Sequence, residues 1–160
     1  MVRLQEILKP AVNLSEITPY LHVGTAPASR DYETLRALNV RLVINMRFGY
    51  RPARDPHHTP LRTLWLPVID SPLTPIPIRV FQIGARAALS TIAEGGAVYT
   101  HCTGGVHRGP AMGAAILIAQ GYPAEEALLL IKQRRPGADP GAWYIKRRIL
   151  RFAETIQSER

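Results

Sequence analysis

The sequence predicts an α/β fold: a single domain with a central, mostly parallel sheet of four to five strands, flanked by helices. Three observations predict it. Short β-branched runs alternate with segments of helical period, the pattern of strand–helix units. The chain has 160 residues and is 46% apolar, enough for one domain with its own core and too apolar for disorder. Residues 97–120 read as a strand, a glycine-rich loop and a small-residue helix, a layout that turns loop amides and a helix N-terminus toward an anion. The whole chain, 1–160, is taken as one domain with a core at about 17–156.

The elements follow in order. Residues 17–23 read as an edge strand, because Pro19 cannot donate to a ladder. Residues 24–27 are a turn, and Ser29 is placed to cap a short helix carrying Tyr32, Leu35 and Leu38. Residues 40–46 form a β-branched strand and 63–68 another, separated by a long loop. A helix over 76–93 presents Ile78, Phe81, Ala85, Leu89 and Ile92 on one face, and Gly95-Gly96 ends it. The strand at 97–100 leads to the glycine loop. The next helix opens at Pro110, since proline suits a first turn, and runs to Gln120. A further helix spans 123–134 before Arg134-Arg135-Pro136-Gly137. Asp139-Pro140 reads as the cap and first turn of a last helix with Ile145, Ile149, Phe152 and Ile156 inward.

The chemistry concentrates in residues 101–108. Cys102, the only cysteine, sits at the mouth of the loop. A thiol becomes nucleophilic on losing its proton, which a helix N-terminus and neighbouring cations favour. Arg108 supplies a planar fork that matches two phosphate oxygens. Gly104 and Gly105 let the backbone turn and approach an anion without a Cβ in the way. Cys102 would attack phosphorus while Arg108 and the amides of residues 103–108 hold the equatorial oxygens. Phosphoryl transfer also needs a proton for the leaving oxygen. The chain offers four aspartates. Asp31 is assigned to a surface helix, Asp55 to the long loop and Asp139 to a helix cap. Asp70 alone follows a strand and opens a proline-rich loop, where it acts as a general acid or merely closes an Asx turn.

His101-Cys102-Thr103-Gly104-Gly105-Val106-His107-Arg108 resembles the H-C-x-x-G-x-x-R signature of the cysteine-dependent protein tyrosine phosphatases, and the surrounding spacing resembles their compact dual-specificity branch. The resemblance covers roughly residues 17–156. It implies metal-independent hydrolysis of a phosphate monoester through a cysteinyl-phosphate. Cys102, Arg108 and Asp70 are then catalytic. His101 supports the thiolate, and Thr103, Gly104, Gly105, Val106 and His107 bind substrate. No cofactor is implied. The family usually carries Ser or Thr after the arginine, where this chain has Gly109. That hydroxyl helps the thiolate leave, so its absence predicts slow hydrolysis of the phosphoenzyme. A catalytically weak phosphate-binding module, an inositol-phosphate or phosphoinositide phosphatase and a rhodanese-like enzyme remain open. His107 before the arginine also resembles some inositol-pyrophosphate-directed members.

The formal net charge of +8 favours anionic partners. Residues 47–62 hold Arg47, Arg51, Arg54, His57, His58 and Arg62 against one acid, Asp55. This is either a solvated loop or an electrostatic rim for acidic substrate. His57-His58 lacks a third ligand at suitable spacing, so no metal is expected. A lone cysteine excludes an internal disulfide and fits a reducing compartment. Residues 1–11 lack the apolar stretch of a signal peptide, and the longest apolar run is too short to span a bilayer. The expectation is a cytoplasmic monomer acting on phosphorylated protein or another phosphate monoester, with no stable nucleic-acid partner.

Overall fold

The structure, a computed structural model, describes residues 12–159. The expectation about a signal peptide in 1–11 lies outside the described residues. Five strands form one mixed sheet: β1 (Leu14–Thr18), β2 (Leu21–Gly24), β3 (Val40–Arg47), β4 (Arg62–Val68) and β5 (Ala97–His101). Their order is β1-β2-β5-β3-β4. Only β1 runs antiparallel to its neighbour; β2, β5, β3 and β4 are mutually parallel. The helices among the described residues are α1 (Tyr32–Ala37), α2 (Ile78–Ala93), α3 (Arg108–Ala119), α4 (Ala124–Arg134) and α5 (Trp143–Ser158).

Side chains alternate across the strands, so the sheet feeds two cores. Leu42, Ile44, Met46, Val23 and Val98 pack with α2 to α5 on one face. Val40, Val43, Ala97 and Tyr99 pack with Tyr32 and Leu35 of α1 on the other. Helix α3 is buried nearly all round, from Gly109 to Ile118. Its small residues make that possible: a Cβ on Gly113 would lie 2.9 Å from Val23 Cγ2.

Parallel pairing aligns the carboxyl ends of four strands. Gly24 lies beside His101, His101 beside Asn45, and Arg47 beside Val68. The loops that follow β2, β3, β4 and β5 therefore leave from one edge of the sheet, the edge where open α/β sheets hold their ligands.

Four local expectations change. The strand expected over 17–23 is a hairpin, with Pro19 and Tyr20 in its turn. The missing amide of Pro19 breaks the ladder there, and β2 is an interior strand, with β1 and β4 at the two edges. Asp31 is buried, not on a surface helix, and accepts the Ala28 amide at 2.7 Å to close a 3-10 turn; Ser29 makes no side-chain cap. Helix α3 starts at Arg108, two residues before Pro110, which occupies its first turn. Helix α5 starts at Trp143 after Ala142, so Asp139 caps nothing and instead sends its amide to Val106 O at 2.7 Å.

The loop from β3 to β4 is organised by its one acid. Asp55 is buried, paired with Arg36, and accepts the amides of Leu61 (2.7 Å) and His57 (3.1 Å). Asn45 holds the start of the same loop, donating to Tyr50 O at 3.0 Å and accepting the Arg47 amide at 2.8 Å.

Candidate active site

Residues 102–107 form a bowl between β5 and α3. Every carbonyl from Thr103 to His107 accepts a hydrogen bond. Thr103 O accepts the Ala26 amide at 3.4 Å, Val106 O the Asp139 amide at 2.7 Å and His107 O the Ala111 amide at 2.9 Å. Arg135 takes the remaining two, Gly105 O at 2.9 Å through Nε and Gly104 O at 3.4 Å through Nη2. Among the described residues, none of the amides from Thr103 to His107 donates a hydrogen bond. With the carbonyls turned out, the amides are left for an anion.

Of the two loop glycines, Gly105 is the one the geometry requires. Its φ is +66°, and a Cβ would sit 2.6 Å from Arg135 Nη2 and 2.8 Å from Gly24 O. Gly104 has ordinary room, with Val106 Cγ2 at 3.7 Å as its nearest neighbour.

Cys102 lies at the rim of the main core with 3% of its surface exposed. Arg108 reaches across the carboxyl edge, donating to Val68 O at 2.9 Å and lying 3.5 Å from Met46 O. Its Nε is buried without a partner among the described residues, and so is that of Arg47. Buried donors are rarely left unpaired, and two guanidinium nitrogens at one edge suit an anionic ligand.

His101 touches the loop's backbone: Nδ1 lies 3.2 Å from Cys102 O, and the ring stacks on Tyr99 at 5.6 Å. Burial pushes its pKa down to about 4, opposed by the Cys102 carbonyl and assisted by the charge of Arg47. Near neutral pH it is an uncharged prop of the loop.

Asp70 stands at the mouth, where the sequence puts it, but as an acceptor on both oxygens. Tyr144 Oη donates to Oδ1 at 2.7 Å, and His107 Nδ1 lies 2.9 Å from Oδ2. Burial alone raises a carboxyl's pKa. Here the hydrogen bond from Tyr144, then that from His107, then the charges of His107 and Arg108 outweigh burial and hold Asp70 below the usual carboxylate range. Burial and then Asp70 push the Tyr144 hydroxyl up to about 12, so it stays a donor.

Cys102, Arg108, His101, residues 103–107 and Asp70 thus meet at one edge. Sequence reasoning missed Arg135 and Tyr144. Arg135 is 7% exposed and binds Asn13 Oδ1 and Ser15 Oγ, each at 3.1 Å, as well as the loop. A basic pair at a helix end reads as solvent-facing, and nothing local in the sequence ties residue 144 to residue 70. Residues 51–63 line a shallow cavity of about 440 Å³ that includes Arg51, Arg54 and His57. His57 and His58 stack on each other at 4.2 Å. Among the described residues no three His, Cys, Asp or Glu side chains converge on a metal position. No helix among them is long and apolar enough to cross a membrane.

No protein-family model matches the chain. The arrangement of sheet and helices nonetheless matches the fold of solved dual-specificity-phosphatase structures. The particular relatives agree. Over 144 residues the chain is 30% identical to rat dual specificity protein phosphatase 5, spanning 89% of this chain and 36% of that protein. Over 162 residues it is 28% identical to the human protein of the same name, spanning 94% and 41%. The chain therefore spans well under half the length of these curated relatives. Human DUSP28 superposes with a TM-score of 0.80 at 24% identity, covering 90% of this chain and 95% of that one. PTPMT1 in complex with PI(5)P gives 0.80 at 23% identity, covering 91% and 97%. Relatives and neighbours together support the cysteine-dependent protein tyrosine phosphatase superfamily, in its compact dual-specificity-like branch.

Proposed function

We propose that this chain hydrolyses phosphate monoesters through a cysteinyl-phosphate. The observation that carries the reading is the bowl whose carbonyls are tethered outward around Cys102 and beside Arg108. Sγ of Cys102 attacks phosphorus. The three equatorial oxygens meet the loop amides and the Arg108 fork, which are fixed before the reaction and cost no reorganisation. The leaving oxygen takes its proton from the Asp70 side of the pocket. Water then attacks the phosphocysteine, the S–P bond breaks, and phosphate leaves.

The substrate is a phosphorylated protein, with phosphotyrosine the preferred residue and the basic 47–62 loop drawing in acidic flanks. A phosphoinositide is the second reading, favoured by the structural neighbour seen with PI(5)P. Turnover of p-nitrophenyl phosphate tests the chemistry: Cys102→Ser abolishes it while phosphate binding, measured by calorimetry, persists. Undiminished turnover in Cys102→Ser would refute the mechanism. A panel of phosphopeptides beside phosphoinositides separates the two substrate readings.

A further inference from the structure

Helix α5 holds the β4–α2 loop at two points. At the near end Tyr144 Oη donates to Asp70 Oδ1 at 2.7 Å, and at the far end Arg148 Nε donates to Ile76 O at 2.8 Å. Tyr144 and Arg148 are four residues apart, so they share one face of the helix. We propose that this pair is a clamp that holds the loop against the bowl before substrate arrives, with Tyr144 the positioning residue for Asp70. The proposal rests on the phosphatase reading, in which Asp70 protonates the leaving oxygen.

The clamp has a firm base. Ile145, Ile149 and Phe152 root α5 in the main core, and Ile76 is 2% exposed. Between the two contacts the loop is a stiff arch. Pro72 and Pro75 fix φ, and Ser71 accepts the Leu73 amide through Oγ at 3.1 Å and the Thr74 amide through its carbonyl at 3.2 Å. Leu73 at the crest is 90% exposed, so the arch draws little support from packing. Its position depends on how its two ends are tied. An acid already tied in place spares the reaction a closing step.

Asp70 is faced from three elements: Tyr144 on α5, His107 in the bowl with Nδ1 2.9 Å from Oδ2, and Arg108 on α3 through its charge. Asp139, on the α4–α5 loop, lies on the far side of His107, 3.9 Å from Nε2. The Tyr144 hydroxyl, pushed up to about 12, keeps its own proton and gives Oδ1 a fixed donor. While it does so, the transferable proton of Asp70 resides on Oδ2, the oxygen beside the bowl. Phenylalanine at 144 keeps a ring beside His107 and Trp143 and removes only the tie.

The test compares phenyl phosphate, whose leaving group needs a proton, with 2,4-dinitrophenyl phosphate, whose leaving group does not. The readout is kcat/KM, which covers the steps up to departure of the leaving group and is blind to the later hydrolysis of phosphocysteine. Tyr144→Phe is expected to lower kcat/KM about 10- to 100-fold on phenyl phosphate and less than about 3-fold on the dinitrophenyl ester. Arg148→Met, which keeps the stem and removes the donor, gives the same split. The alkaline fall of the phenyl phosphate profile moves to higher pH in Tyr144→Phe, because Asp70 loses a donor that favours its ionised form. In an Asp70→Ala background Tyr144→Phe slows neither ester further, since the group it positions is gone. Equal losses on the two esters, or an undiminished loss in the Asp70→Ala background, overturn the proposal and leave Tyr144 a packing residue of α5. Near-wild-type kcat/KM of Tyr144→Phe on phenyl phosphate overturns it too. Absence of Cys102-dependent turnover of either ester in the wild type overturns the phosphatase reading itself, and the proposal with it.

Discussion

A Cβ at position 109 would lie 3.0 Å from His101 Cα and 3.1 Å from both His101 C and the Cys102 amide nitrogen. Those atoms are backbone at the root of the bowl, so they cannot turn aside as a side chain would. Gly109 thus has a steric reason to lack a side chain, and introducing a serine alone would confuse two effects, crowding and the hydroxyl. Gly109→Ala isolates the crowding and should destabilise the fold by about 1–2 kcal/mol, read from urea midpoints. The step from Ala to Ser isolates the hydroxyl and should shrink a pre-steady-state burst of product. A burst of equal size in the two variants would leave the hydroxyl without a role in phosphoenzyme hydrolysis. The same scale explains what the sequence discloses. Cys102, Arg108 and the loop between them are local in the chain, so spacing alone brings them together. Arg135 and Tyr144 act on partners 30 and 74 residues away, Gly105 and Asp70. No periodicity encodes such contacts.

At the scale of elements, α3 is the part most sensitive to volume, because it lies between the sheet and the other helices. Gly113 shows two effects opposed. Alanine gains about 1 kcal/mol over glycine in a helix interior. Its Cβ would meet Val23 Cγ2 at 2.9 Å and Ile131 Cδ1 at 3.2 Å. Val23 is fully buried and, being β-branched, stiff at χ1, so it cannot yield cheaply. Overpacking of about 1–3 kcal/mol therefore outweighs the propensity gain, and Gly113→Ala should lower Tm by several degrees. A raised Tm would mean that β2 shifts freely. Sequence periodicity found α2 and α5 because each has one apolar face. It placed the ends of α3 less well, since that helix is apolar all round and offers only Pro110 as a marker. The β1–β2 hairpin reads as one strand in the sequence because its turn contains a single proline and no glycine.

Across the whole molecule, acid acts through buried imidazoles. His101 and His22 are each at most 3% exposed, and burial lowers both pKa values, that of His101 to about 4. The unfolded chain takes up these protons near pH 6.5, whereas the folded chain holds His101 neutral down to about 4. Between those values the unfolded state binds more protons, so stability falls as the pH falls, by up to about 1.4 kcal/mol per pH unit for each histidine. The depressed carboxyls of Asp55 and Asp70 add loss in the same direction at lower pH. Urea midpoints should drop between pH 7 and pH 5 in the wild type and drop less in His101→Asn. Parallel profiles would rule His101 out as the source.

The guanidinium of Arg135 has one further consequence. It ties Gly104 and Gly105 on one side to Asn13 and Ser15 on the other, so the phosphate bowl and the outermost strand share a single rivet. Anything that stiffens the bowl should be felt at the opposite margin of the sheet. Saturating orthovanadate is expected to slow amide hydrogen exchange in β1, which lies outside the bowl, and exchange there that ignores vanadate would show the two regions breathing independently.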